Sequence, residues 1–391
     1  MPSDQSTWLV SVPQDGDSEG LLQELLPKLT SQAKLSSGNI SSLGIPSFKT
    51  GTLDSLVGIS EDLPKQEAYF TATVAKTVDT LRNLLNNDPA KLSQHILIDE
   101  RAIDDYLFHN WRWNESRYNV QKSLRDLIDT LNREIVSIDG TMKAKLNNYN
   151  LVKGSLTQMQ RKQMGNLSTR SLGDVVSSKD FIEDSEYLET VLVAVPRNLT
   201  KEWNASYERL TQMVVPRSSK LIKSDDEFSL FGVVIFKRVH DEFIQKCRDH
   251  KFIVRDFVYS EEEIEKQKED HENANKTEKE LWTELLRISR TNFSEAFQIL
   301  VHLKVVRLFV ESVLRYGLPA NYAGLIVKPD SKSTKKVFHV LQSQFAYLRP
   351  RSNPSQNKRK QGGDEEYVGE YSSLMEQEFF DFVLFEIPWI V

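Results

Sequence analysis

Leu124, Ile128, Leu131, Ile135, Ile138, Met142, Tyr149, Val152, Leu156 and Met159 recur at alternating spacings of four and three residues. They fall on two heptad rows, 124/131/138/145/152/159 and 128/135/142/149/156/163, broken only by Lys145 and Gln163. Sustained a/d periodicity of this kind specifies a long helix with one apolar seam. From 124 to 159 such a helix would run about 50 Å at 1.5 Å per residue, more than the width of a small domain. Gly140 and Gly154 each cost about 1 kcal/mol against alanine in a helix interior and are candidate bend points.

A second long helix is predicted over 260–290, where Ser260 and Glu263 form a capping-box pattern and an acidic first turn suits the helix dipole. Its first five turns are almost wholly polar. From Leu281 it becomes apolar, through Leu285, Ile288, Phe293, Phe297, Leu300, Leu303, Val306, Val310 and Leu314, until Gly317 and Pro319 stop it. Between the two helices, 167–259 reads as a compact α+β unit. Its strands are 190–196, 229–237 and 255–259. One helix carries Leu199, Trp203, Tyr207, Leu210 and Met213 on one stripe; another, over 238–250, carries Val239, Phe243 and Cys247. About ninety residues suffice for an independent core.

Outside the long helices, 8–13 and 322–327 read as strands, 17–35 and 333–348 as helices, and 379–391 as a final strand. Residues 45–56 read as a strand or loop leading into a helical turn. Residues 67–85 have helical spacing through Phe70, Val74, Val78, Leu81 and Leu85, with Pro89 as the stop.

A compact domain brings its termini together, so the helix entering 167–259 and the helix leaving it should return side by side and antiparallel. The expected fold class is therefore α+β and helix-rich: an elongated dumbbell with an α/β head, a long antiparallel helical neck and an α/β foot built from both termini. The expected boundaries are 1–120 and 288–391 for the foot, 121–166 and 260–287 for the neck, and 167–259 for the head. Polar 260–280 favours this arrangement, because a thin neck offers each helix one partner and leaves the rest to water. The alternative is that both helices lie against one large core.

Chemistry is harder to find. The chain has 391 residues, of which 39% are hydrophobic and 27% charged, with net charge −6 from 50 basic and 56 acidic side chains. That balance argues against a nucleic-acid partner, whose binders carry a basic excess. The single cysteine, Cys247, allows no intrachain disulfide and suits a reducing compartment. No secretory leader and no apolar run of about 18 residues is visible, so a cytoplasmic protein is expected, reaching a membrane only through another protein. Phosphate-cradling glycine motifs, HExxH and G-x-S-x-G are missing. His240, His250 and His271 read as surface residues and Cys247 as a packing residue. No catalytic residue, cofactor or metal ligand is expected. Asn114-Glu-Ser and Asn204-Ala-Ser read as incidental. The basic residues Arg349, Arg351, Lys358, Arg359 and Lys360 form a proline-containing loop, read either as a solvated segment or as a contact for an acidic partner, actin or nucleic acid.

Several segments carry a family likeness: WLVSVP (8–13), IPSFKTGTLDSL (45–56), NLSTRSLGDVV (166–176), YLETVLVAVPRNL (187–199), KFIVRDFVYSEE (251–262) and VESVLRYGLP (310–319). In these, and in their order over nearly the whole chain, the sequence resembles the C subunit of the vacuolar-type proton-pumping ATPase (V-ATPase). The resemblance implies a non-catalytic stator component with head, neck and foot, on the cytosolic face of endomembranes. Its implied partners are the peripheral stalks formed by the E and G subunits and the N-terminal domain of the membrane-sector a subunit. Release on reversible separation of the two sectors, and actin binding in some members, are also implied. A cytosolic actin-binding or coiled-coil scaffold is the alternative. The resemblance supplies no catalytic residues, and the 349–366 loop lies where members of that family differ.

Overall fold

A computed structural model describes residues 2–13, 17–182, 185–348 and 380–389. The fold is α+β and helix-rich. Its described helices are α1 (Ser18–Gln32), α2 (Leu53–Leu84), α3 (Pro89–His95), α4 (Ile103–Asp105), α5 (Leu124–Met164), α6 (Thr200–Ser206), α7 (His240–Asp249), α8 (Glu261–Tyr316) and α9 (Thr334–Gln344). Its strands are β1 (Ser6–Pro13), β2 (Ile40–Leu43), β3 (Leu188–Pro196), β4 (Lys220–Ser224), β5 (Phe228–Phe236), β6 (Ile253–Arg255), β7 (Tyr322–Val327) and β8 (Val383–Pro388). The chain divides into two compact units, residues 1–145 with 285–391, and residues 146–284.

The first unit is built on an antiparallel sheet of order β2-β7-β1-β8. Strand β1 is buried on both faces, which is why WLVSVP is a continuous apolar run. Trp8, Val10 and Val12 face a core completed by Leu21, Leu25 and Leu29 of α1 and Val337, Phe338 and Leu341 of α9. Leu9, on the opposite face, joins the larger core formed by α2, α5 and α8. Gly324 in β7 is required by close packing: a Cβ there would lie 2.5 Å from the Leu43 carbonyl oxygen.

Helix α8 changes character along its 56 residues. From Ala296 to Val313 nearly every side chain is buried, on all sides of the helix. The segment read as apolar, 285–314, is therefore part of an enclosed helix, with the sheet on one side and α2 and α5 on others.

The second unit has an antiparallel sheet of order β4-β5-β3-β6. Val191, Val193 and Val195 alternate with Leu192 and Ala194 along β3. The first set packs with Trp203, Phe243 and Cys247, the second with Leu167, Leu172 and Val176.

Several local expectations need correction. Helix α2 starts at Leu53, fourteen residues before the expected 67, because Thr52 caps it by accepting a hydrogen bond from the Ser55 N–H at 3.3 Å. Pro89 does not stop that helix. Asn86 (φ 55°) and Asn87 (φ 59°) turn the chain in left-handed conformation, and Pro89 then opens α3 with Asp88 as its cap. Strands β2 and β4 were not foreseen; each is short and lies at a sheet edge. The expected 199–213 helix is regular only over α6, and Met213 is 40% exposed. The expected 255–259 strand sits earlier, at Ile253–Arg255, and Phe257 and Tyr259 pack half-buried beneath the sheet.

Candidate functional site

The heptad seam is the feature that most sets this chain apart, and its residues divide between the two units. In the first unit, Leu124, Ile128, Leu131 and Ile135 are buried in the large core, and Ile138 packs half-buried against it. Met142 is buried beside Ser289, whose Oγ lies 3.9 Å from its Sδ. In the second unit Tyr149 and Leu156 are buried, while Val152 and Met159 are half-buried. Helix α5 is unbroken through Gly140 and Gly154. The basic residues Arg349, Arg351, Lys358, Arg359 and Lys360 lie outside the described residues.

Polar residues interrupt the seam, and sequence spacing did not reveal them. Asp139 is buried beside the apolar rows, where Lys143 Nζ bonds it at 2.6 Å, Tyr69 Oη donates to it at 3.2 Å and Lys76 lies at 3.8 Å. Burial alone would raise its carboxyl, but Lys143, Lys76 and Tyr69 together hold it below the usual range. In the second unit, Tyr149 Oη donates to Glu278 Oε1 at 2.9 Å, and burial together with that carboxylate pushes the phenol up to about 12.

A deeper charged cluster ties three elements of the first unit. Lys304 of α8 is 1% exposed. Its ammonium contacts Glu67 of α2 at 2.6 Å and the Glu386 carbonyl of β8. Arg307 bonds the other Glu67 oxygen at 2.6 Å and lies 4.3 Å from the Phe385 ring centre. Burial pulls the Lys304 ammonium down, against the pull of Glu67. Glu67 is held below the carboxylate range because Lys304 and Arg307 outweigh its own burial. Periodicity marks Lys304 only as an interruption in an apolar run; the partner 237 residues away is a tertiary fact.

His302 is 2% exposed and enclosed by Trp111, Trp113 and Tyr118. Its Nδ1 donates to the Gln298 carbonyl at 2.7 Å, and its Nε2 accepts from the Asn114 N–H at 3.3 Å. Both nitrogens are occupied by the neutral ring, and burial lowers its pKa to about 4.

The residues read as non-catalytic are placed as follows. Cys247 is buried, and burial pushes its thiol up to about 12, away from nucleophilic use. His240 meets Glu189 at 2.7 Å and His250 meets Glu202 at 3.3 Å, both on the surface. His271 is not a surface residue: it is half-buried, with an enclosed Nε2. Among the described residues no cluster of histidine, cysteine and carboxylate could hold a metal ion, and no helix is long and apolar enough to cross a membrane. An open groove of about 770 Å³ lies along exposed residues of α5, including Asp126, Asp129, Arg133 and Val136.

What these sites share is the joining of elements remote in sequence. The model of the V-ATPase C-subunit family matches residues 7–383, so the chain belongs to that family, a component of the proton-transporting V-ATPase. Among relatives, the V-type proton ATPase C subunit 1-B of Danio rerio is 37% identical over 87% of this chain and 89% of its own length. The corresponding C subunits of Rattus norvegicus (form 1) and Manduca sexta are each 37% identical over 87% of this chain and 88% of theirs. A solved cytoplasmic N-terminal domain of the V-ATPase I subunit, a homolog of the membrane-sector a subunit, aligns over 86% of this chain and 97% of that chain, at 14% identity and a TM-score of 0.31, too low to argue from.

Proposed function

We propose that this chain is a non-catalytic stator component of the V-ATPase. It bridges peripheral stalks, heterodimers of the E and G subunits, to the N-terminal domain of the membrane-sector a subunit on the cytosolic face of endomembranes. In this reading, residues 167–259 are a head, 121–166 and 260–287 a neck, and 1–120 with 288–391 a foot. The observation that carries it is the continuity of α5 and α8: each helix begins in one compact unit and ends in the other without a break. Two unbroken helices resist bending and twisting better than two flexible linkers, which is the mechanical demand on a static part of a rotary machine. Family membership over nearly the full chain supplies the assembly in which that demand arises.

Two tethered contacts on one chain reinforce each other through effective concentration, and loss of one weakens the other. This suits a component released when the two sectors separate. The test is reconstitution of the full chain with purified E–G heterodimers and the N-terminal domain of the membrane-sector a subunit, separately and together. Binding to each, and tighter retention when both are present, is expected. A folded chain that binds neither, or that binds actin filaments instead, overturns the reading.

A further inference from the structure

The polar first half of α8 has a seam of its own. Ile264, His271, Glu278 and Leu285 recur every seven residues and are each less exposed than the charged residues flanking them. The Tyr149–Glu278 bond sets the register against α5, and the Met142–Ser289 approach shows that the two helices run antiparallel. One heptad along α5 from Tyr149 and one heptad back along α8 from Glu278 brings Leu156, itself 8% exposed, opposite His271.

The hydrogen bonds of His271 define its state. Asn275 Nδ2 donates to His271 Nδ1 at 3.1 Å and to the His271 carbonyl at 3.0 Å. The second bond fixes the amide with its nitrogen toward the ring, so Nδ1 accepts and the neutral ring carries its proton on Nε2. That Nε2 is buried and has no hydrogen-bond partner. An imidazolium here would present two N–H donors, one toward the Asn275 amide nitrogen and one into the seam. Neither direction offers an acceptor. Turning the Asn275 amide over would set its oxygen against the His271 carbonyl and lose the second bond.

The charged surroundings do not compensate. By the same register the α5 residues within a turn of Leu156 are Val152, Lys153, Met159 and Gln160. Lys153 alone among them is charged, with its ammonium 5.4 Å from the Tyr149 ring centre. On α8, Gln267 and Lys268 lie one turn before His271, and the next seam carboxylate, Glu278, is two turns beyond and already engaged by Tyr149. The loop that packs on α8 from the other side approaches at Gly173, against Ile264 and Gln267, with Asp174 next in the chain. Asp270 and Glu272, the chain neighbours of His271, are exposed and leave the helix on other sides, so no carboxylate shares the seam position of the ring.

We propose that His271 makes the pairing of 146–164 with 261–284 a pH-sensitive element, in which proton uptake at the imidazole loosens the two helices. Imidazole is the side chain whose charge ordinarily changes between pH 5 and 8, so the pairing responds to acidification of the surroundings. The experiment is hydrogen–deuterium exchange on the full-length chain from about pH 8 to about pH 5, with rates corrected for the intrinsic pH dependence of exchange. In the wild type, protection of segments 150–160 and 267–278 falls about tenfold at the acid end, the scale of one stranded buried donor. His271→Leu, which completes the apolar seam, abolishes that fall. Asn275→Asp, which supplies an acceptor at Nδ1, reverses it, so that protection is kept or gained on acidification. A wild type with no loss in these two segments, or either variant losing protection as the wild type does, overturns the proposal. Both results are independent of any stalk-binding assay.

Discussion

The phenol of Tyr149 on α5 and the carboxylate of Glu278 on α8 meet at 2.9 Å, although 129 residues separate them. This bond fixes the register where the apolar seam of α5 meets the polar first half of α8. Tyr149→Phe keeps the ring and removes the bond. It should lower the stability of the second unit by about 1 kcal/mol, the net worth of one such hydrogen bond. Exchange protection of 146–160 reports the loss. Unchanged protection would mean that the register is set elsewhere.

Glu67 holds two cations, so its neutralisation is expected to cost more than removal of either one. Glu67→Gln leaves the buried Lys304 ammonium with neutral oxygen acceptors and no counter-charge, and should destabilise the first unit by about 3–5 kcal/mol. Lys304→Met removes the buried charge itself and leaves Glu67 with Arg307. The milder loss expected there distinguishes an uncompensated charge from a simple lost contact. Urea titration of the two variants makes the comparison. Since Lys304 also contacts the Glu386 carbonyl, Glu67→Gln should first expose β8 to exchange.

His302 makes stability depend on pH in a defined window. Its folded pKa is about 4, below the ordinary value of 6.5. The unfolded chain therefore takes up a proton between those values while the folded chain does not, and stability falls as pH falls from about 6.5 to about 4, then levels. The full effect is about 3 kcal/mol. Denaturant titrations across this window should show a shallower fall in His302→Gln than in the wild type. Equal slopes would show that the ring titrates freely.

Gly140 and Gly154 lie inside α5 with open space where a Cβ would stand. Gly140→Ala and Gly154→Ala should each stabilise the chain by about 1 kcal/mol. Thermal unfolding measures this. A loss of stability in either would indicate that the helix is bent or closely packed at that glycine.

By itself, the sequence determined the long helices, most strands and the family. Heptad spacing through Leu131 and Ile135, and uninterrupted apolar runs such as β1, express the geometry of one element, and that information is local. That it carries no phosphate-cradling glycine motif, HExxH or G-x-S-x-G is equally legible, since motifs are local too. Only the tertiary structure decided which polar residues go inside. Asp139, Glu67, Lys304, His302 and His271 look like ordinary polar positions until distant partners, or their lack, are known, because the cost of burying a charge depends on what lies across from it. The same reason explains β2 and β4, four and five residues long, whose pairing is supplied by neighbours rather than by their own composition. It also explains α8, whose apolar half is enclosed because the sheet, α2 and α5 converge on it.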